Sequence, residues 1–136
     1  MSKPIPKVQK YMTTNPHTVR ADLPLADAAK FMREHQIRHL PVLHGGELLG
    51  LVSIRDIHLI ETLKDVDPKQ VKVEDAMSQD VYAVSPDSPL DEVAEEMSSK
   101  KMGSAVVMQN GKVVGIFTVV DALAALAELL RTRLSK

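Results

Sequence analysis

The chain has 136 residues, 44% of them hydrophobic and 26% charged, which suits one ordinary globular domain or two very small units sharing a core. With a formal net charge of −1, two Phe, two Tyr and no Trp, it has neither the basic excess nor the aromatic faces of a nucleic-acid platform. The absence of cysteine excludes a disulfide frame, thiolate chemistry and any Cys-based zinc site.

The opening MSKPIPKVQK has no apolar signal region, and no run approaches the length of a membrane span. A cytoplasmic protein without nucleic-acid or membrane partners is expected. An internal repeat organises the rest. Shifted by 65 residues, the segment from Met12 to Asp56 overlays Met77 to Asp121 without a gap, with 11 identities in 45 positions. They include Met12 on Met77, Pro24–Leu25 on Pro89–Leu90, Gly50 on Gly115 and Asp56 on Asp121.

Each repeat opens with a helical lead-in, near Pro6–Met12 and Val73–Met77. A short strand follows around His17–Arg20, or Tyr82–Ser85, and then a turn, Asp22–Leu23–Pro24 or Asp87–Ser88–Pro89. Next comes a helix whose core stripe is Leu25, Ala28, Ala29 and Met32, repeated as Leu90, Val93, Ala94 and Met97. These methionines read as core filler. The strands His39–Leu43 and Ser104–Met108 lead into Gly45–Gly46 and Asn110–Gly111, residue pairs that tight hairpins select. The return strands, Leu48–Val52 and Val113–Phe117, are nearly all apolar, as strands covered on both faces would be. A second helix starts after Ser53 or Thr118. The chain thus reads as residues 1–64 for the first β-α-β-β-α motif with its lead-in, 65–72 as connector, and 73–136 for the second motif with its C-terminal helix. One motif is too small to bury its sheet and helices alone, so one compact domain with the two sheets together is expected.

The return strands end alike, in GLVSIRD and GIFTVVD. Ser53-x-x-Asp56 and Thr118-x-x-Asp121 fit a capping box, in which hydroxyl and acid satisfy free amides of the first helical turn. The same pieces also suit a nucleotide: helix-start amides and the hydroxyl for phosphate, the carboxylate for ribose hydroxyls. Gly50 and Gly115 would let a ligand or the partner unit approach the backbone. Both readings stand on the residues alone.

Two tandem units with Asp-x-Pro-Leu-like helix starts, the strand RHLPV and the endings GLVSIRD and GIFTVVD resemble a pair of cystathionine-β-synthase (CBS) domains, a Bateman module, from about Val8 to Leu130. The resemblance implies an α/β (α+β) fold of two motifs about a pseudo-twofold axis. It implies a regulatory module binding AMP, ADP, ATP or S-adenosylmethionine in clefts between the motifs, without a prosthetic group.

Carried over by position, one site joins Thr118 and Asp121 to Met12, His17, Ile37, Arg38 and His39. Asp121 would hold the ribose, Thr118 a phosphate, and Arg38 and His39 the remaining phosphate charge. The other joins Ser53, Arg55 and Asp56 to Met77, Tyr82, Met102, Gly103 and Ser104. Gly103–Ser104 there replaces Arg38–His39, so the Asp121 site is expected to be the stronger for charged nucleotides.

No metal site is expected from His35, His39 and His44, whose spacing is not that of a helical pair. Nothing marks an enzyme: no nucleophile with a matched base, no phosphate loop of the Gly-rich lysine type. The alternative is a ligand-free scaffold in which both aspartates are only caps. The apolar last helix, with Leu123, Leu126, Ala127, Leu129 and Leu130, points to a homodimer, as the resemblance also implies, and with no effector domain read in the sequence, action in trans on another protein is expected.

Overall fold

In the computed structural model, which describes residues 4–134, the chain forms two compact units. One runs from His17 to Val81, and the other combines the residues up to Pro16 with those from Tyr82 onward. They are called the first and the second unit.

In the first unit, β2 (Val19–Arg20), β3 (His39–His44) and β4 (Glu47–Ser53) form a sheet in that order, β2 parallel and β4 antiparallel to β3. The β3–β4 turn sits on Gly45 and Gly46, both at positive φ (58° and 83°), a backbone that residues with a Cβ rarely adopt. The register of β4 slips between Val42 and Leu43, so Leu48 pairs with Leu43 while Gly50 pairs with Val42. Helix α1 (Leu25–His35) buries Leu25, Ala28, Ala29 and Met32, the full expected stripe. With Leu40, Val42, Val52, Ile57 and Val73 these residues make the core. Helix α2 (Ile54–Glu61) follows β4 directly.

Short helix α3 (Val73–Ala76), the lead-in of the second repeat, belongs to this first unit. Its Val73 is fully buried, and the Val73 and Glu74 amides donate to the Leu23 and Ala21 carbonyls at 2.8 and 3.0 Å. Leu51 and Ser78 then exchange backbone hydrogen bonds at 2.9 and 2.8 Å.

The second unit repeats the plan with the opposite lead-in. Its sheet runs β1 (Thr13–Thr14), β7 (Lys112–Thr118), β6 (Ser104–Gln109), β5 (Ala83–Val84), and β1 is the added edge. The lead-in before β1 is a single 3-10 turn, Val8–Lys10, rather than the helix expected over Pro6–Met12. The backbone before it is extended at Lys7 and pairs outward instead: the Leu90 amide donates to the Pro6 carbonyl at 2.9 Å and the Val8 amide to the Ser88 carbonyl at 2.9 Å. Val8, Val93, Ala105, Val107, Phe117 and Ala125 form the core.

Helix α4 (Leu90–Ser99) buries Leu90, Val93 and Met97 but leaves Ala94 exposed, against the expected stripe. Ala94 opens on an apolar groove of about 230 Å³ between α4 and α5 (Val119–Arg133), floored by Phe117 and Ala125. Its counterpart Ala29 is 4% exposed. There the connector lies against the start of α1, through the Leu25 and Ala26 amides on Val71 and Pro68. The return strands also depart from full coverage: Leu49 is 39% exposed, and Leu48, Leu51, Val113 and Val114 are half-buried.

Candidate functional site

Both capping boxes are made. The Ser53 amide and hydroxyl donate to Asp56 Oδ2 at 2.8 and 3.0 Å, and the Asp56 amide donates to Ser53 Oγ at 3.2 Å. The Thr118 amide and hydroxyl donate to Asp121 Oδ2 at 2.9 and 3.2 Å, with the Asp121 amide on Thr118 Oγ1 at 3.4 Å. Each box uses Oδ2 alone. A carboxylate has two acceptor oxygens, so capping and holding a ligand hydroxyl do not exclude each other.

The two acids differ at Oδ1. That of Asp56 takes no hydrogen bond from the described residues, whereas Thr13 Oγ1 donates to Oδ1 and Oδ2 of Asp121 at 3.2 and 3.3 Å. Thr13 was missed in the sequence reading. The signal was there, since Thr13 and Ser78 are hydroxyl residues at the repeat offset, directly after Met12 and Met77. Ser78 Oγ instead accepts the Asp80 amide at 3.3 Å.

Around Ser53 and Asp56 the first unit gathers Arg38, His39 and Arg55. His39 lies opposite Ser53 in the β3–β4 ladder, and the Arg38 carbonyl accepts the Ile54 amide at 2.9 Å. Arg38 and Arg55 are exposed and form no ion pair among the described residues. His39 is half-buried. Burial holds its pKa below the ordinary histidine value; Asp56 opposes that shift, and Arg38 adds to it. Ile37 and Met77 pack against the core, and His17 lies apart, in a cluster with Phe31 and His35.

In the second unit Gly103 and Ser104 stand where Arg38 and His39 stand in the first. The Gly103 carbonyl accepts the Val119 amide at 3.2 Å, and Ser104 lies opposite Thr118. Ser104 Oγ is buried without a hydrogen-bond partner among the described residues. A half-buried Tyr82 sits on the edge strand side, its pKa raised by burial and then by Glu96 and Glu92, with Lys100 opposing. Met12, Tyr82 and Met102 pack against this unit's core.

The glycines have a plainer role than ligand approach. A Cβ on Gly50 would meet the Ser78 carbonyl oxygen at 2.5 Å and Met77 Sδ at 2.7 Å, and one on Gly115 would strike the Met12 side chain. Each glycine makes room for the methionine of the lead-in packed on it. Among the described residues no group of three His, Cys, Asp or Glu side chains gathers for a metal, and His39 and His44 stand at opposite ends of β3.

A family model for the CBS domain matches residues 8–59 and 73–128, most of the chain. The chain belongs to the CBS domain family. An acetoin utilization protein of Vibrio cholerae has a similar structure, with a TM-score of 0.85 at 30% identity over 98% of this chain and 100% of that one. A CBS domain pair in complex with 5′-methylthioadenosine and S-adenosyl-L-methionine superposes with a TM-score of 0.83 at 28% identity, covering 92% and 98% of the two chains. The L-aspartate semialdehyde sulfurtransferase of Methanocaldococcus jannaschii is 32% identical over 123 residues, 89% of this chain but 23% of that protein. The chain thus spans about a quarter of that curated relative. No helix of the described residues is long and apolar enough to cross a membrane.

Proposed function

We propose that this CBS domain pair is a regulatory module for an adenosine-containing ligand, AMP, ADP, ATP, S-adenosylmethionine or 5′-methylthioadenosine, and that it has no catalytic role. The observation that carries the reading is that each capping box closes through Oδ2 alone, leaving Oδ1 outside the cap: without a donor among the described residues in Asp56, and held only by the exposed Thr13 hydroxyl in Asp121. A ribose presents two adjacent hydroxyl donors, which such an oxygen accepts and a cation would not. The CBS pair in complex with two adenosyl compounds supports the same ligand class.

Asp121 and Thr118 rank first for phosphate-bearing ligands, with Arg38 and His39 as the proposed phosphate cations and Met12, His17 and Ile37 as the apolar and ring contacts. Ser53, Arg55 and Asp56, with Met77, Tyr82, Met102, Gly103 and Ser104, suit a ligand with less negative charge. The acids that raise the Tyr82 pKa support that ranking. The exposed apolar face of α5, with Val120 at 72% and Leu123 at 60%, supports a homodimer as the form in which ligand occupancy is transmitted to a partner.

A thermal-shift panel with the five ligands tests this. At one hundred times its dissociation constant a ligand raises stability by about 2.7 kcal/mol, several degrees for a chain of this size. No shift with any of the five leaves both aspartates as caps and favours the scaffold reading.

A further inference from the structure

We propose that His17 and His35 form a two-histidine chelate for a tetragonal divalent cation, copper(II) or nickel(II), with water completing the coordination. The two imidazoles come from distant parts of the first unit, the segment entering β2 and the last residue of α1, yet their ring centres are 4.5 Å apart. Both are placed by one side chain. Phe31 stacks on His35 at 4.0 Å and 25° and takes His17 edge-on at 5.1 Å and 78°.

The tautomer of His35 is set for the same job. His35 Nδ1 lies 3.0 Å from the Phe31 carbonyl oxygen, which accepts only, so Nδ1 carries the proton and Nε2 keeps its lone pair. A backbone carbonyl on the far ring nitrogen is the usual support of a metal-bound histidine. His35 also closes α1, where the carbonyl end of the helix favours a cation.

The spacing is one that a single ion can bridge. With the metal about 2.05 Å from each nitrogen and each ring centre about 1.1 Å further on, two ligands at a right angle have centres about 4.5 Å apart, and two at the tetrahedral angle about 5.2 Å. With one nitrogen of each ring turned to a shared ion, the observed 4.5 Å fits the right angle of tetragonal copper(II) or nickel(II) better than the tetrahedral angle of zinc.

The repeat supplies a contrast. The three equivalent positions in the second unit are Tyr82, Glu96 and Lys100, where Lys100 pairs with Glu96 at 3.1 Å. One repeat closes this corner with an ion pair, and the other with two adjacent, tilted imidazoles that form no ion pair among the described residues. His17 also stands in the proposed nucleotide set and His35 does not, so titration without nucleotide, read through His35→Ala, separates the chelate from that reading.

The test is titration of the full chain, free of nucleotide, with nickel(II) chloride by calorimetry, and electron paramagnetic resonance of the one-to-one copper(II) form. One saturable site is expected, with two imidazole nitrogens coupled to copper. His35→Ala and His17→Ala should each weaken nickel binding by about a hundredfold, the loss of a second tethered ligand, while His44→Ala leaves it unchanged. Both histidines are exposed, so unaltered thermal unfolding of the apo variants checks that the fold persists. No saturable binding, or binding that survives His35→Ala, as binding at the amino terminus would, overturns the proposal.

Discussion

The first and second units share a hairpin, a bulge and a capping box, but they furnish the start of the closing helix differently. In the first, Asp56 is flanked by Arg38, Arg55 and a half-buried His39, and its Oδ1 is open to a ligand. In the second, Asp121 is braced by Thr13, and the cationic pair is replaced by Gly103 and a Ser104 unpartnered among the described residues. The difference teaches that the repeat preserves whatever fixes the backbone, the positive-φ turn, the bulge and the cap. It varies the side chains that set charge. A duplicated fold of this kind offers two ribose acceptors in unlike electrostatic settings.

The largest effect expected from this contrast is on packing. A Cβ on Gly50 meets backbone, the Ser78 carbonyl, whereas one on Gly115 meets only the flexible Met12 side chain. Gly50→Ala should therefore destabilise by about 3 kcal/mol and Gly115→Ala by about 1 kcal/mol, within the usual range for overpacking. Urea unfolding checks this, and equal losses would erase the distinction. Next in size is ligand affinity. On the proposed assignment of Arg38 and His39 to the ligand held by Asp121, Asp121→Ala should weaken AMP binding by about tenfold more than Asp56→Ala does, a difference of about 1.4 kcal/mol, measured by calorimetry. Equal effects would remove the ranking of the two acids.

A pH effect should follow, confined to the first unit. The folded-state pKa of His39 lies below the unfolded value of 6.5, so between the two the unfolded chain binds the proton more readily. Stability is therefore complete above pH 6.5, falls as pH drops through the window below it, and levels off past the folded-state value. His39→Gln should flatten that part of the melting-temperature profile, and an unchanged profile would remove His39 as its source. The smallest effect concerns the brace: Thr13→Val should cost about 0.5–1 kcal/mol, one exposed hydrogen bond to a charged group, and Ser78→Ala less. The same urea unfolding measures both.

Much of this was legible in the chain because it is local. The hairpin glycines, the α1 stripe and the Ser/Thr-x-x-Asp caps are set by residues a few positions apart, and the structure has them all. What escaped is non-local. Gly50 and Gly115 read as openings for a ligand or the partner unit, and only the fold shows that the other repeat's lead-in methionine fills each space. Ala94 sits at a helical core position, and its exposure depends on the uncovered groove beside α5. Thr13 reaches Asp121 across 108 residues, a separation at which only the fold can decide who pairs with whom. The site residues drawn from family resemblance fall into both units, and within the first unit Arg38 and His39 gather with Ser53 and Asp56.

The central claim is that one carboxylate both caps a helix and accepts a ribose hydroxyl. Its most direct test is calorimetric titration of the wild-type chain with AMP and with 2′-deoxy-AMP. The account predicts saturable AMP binding and a clear loss with the deoxy compound, because the missing hydroxyl leaves a half-buried carboxylate oxygen unpaired. Equal binding of the two, or none of either, would contradict it and leave Asp56 and Asp121 as caps alone.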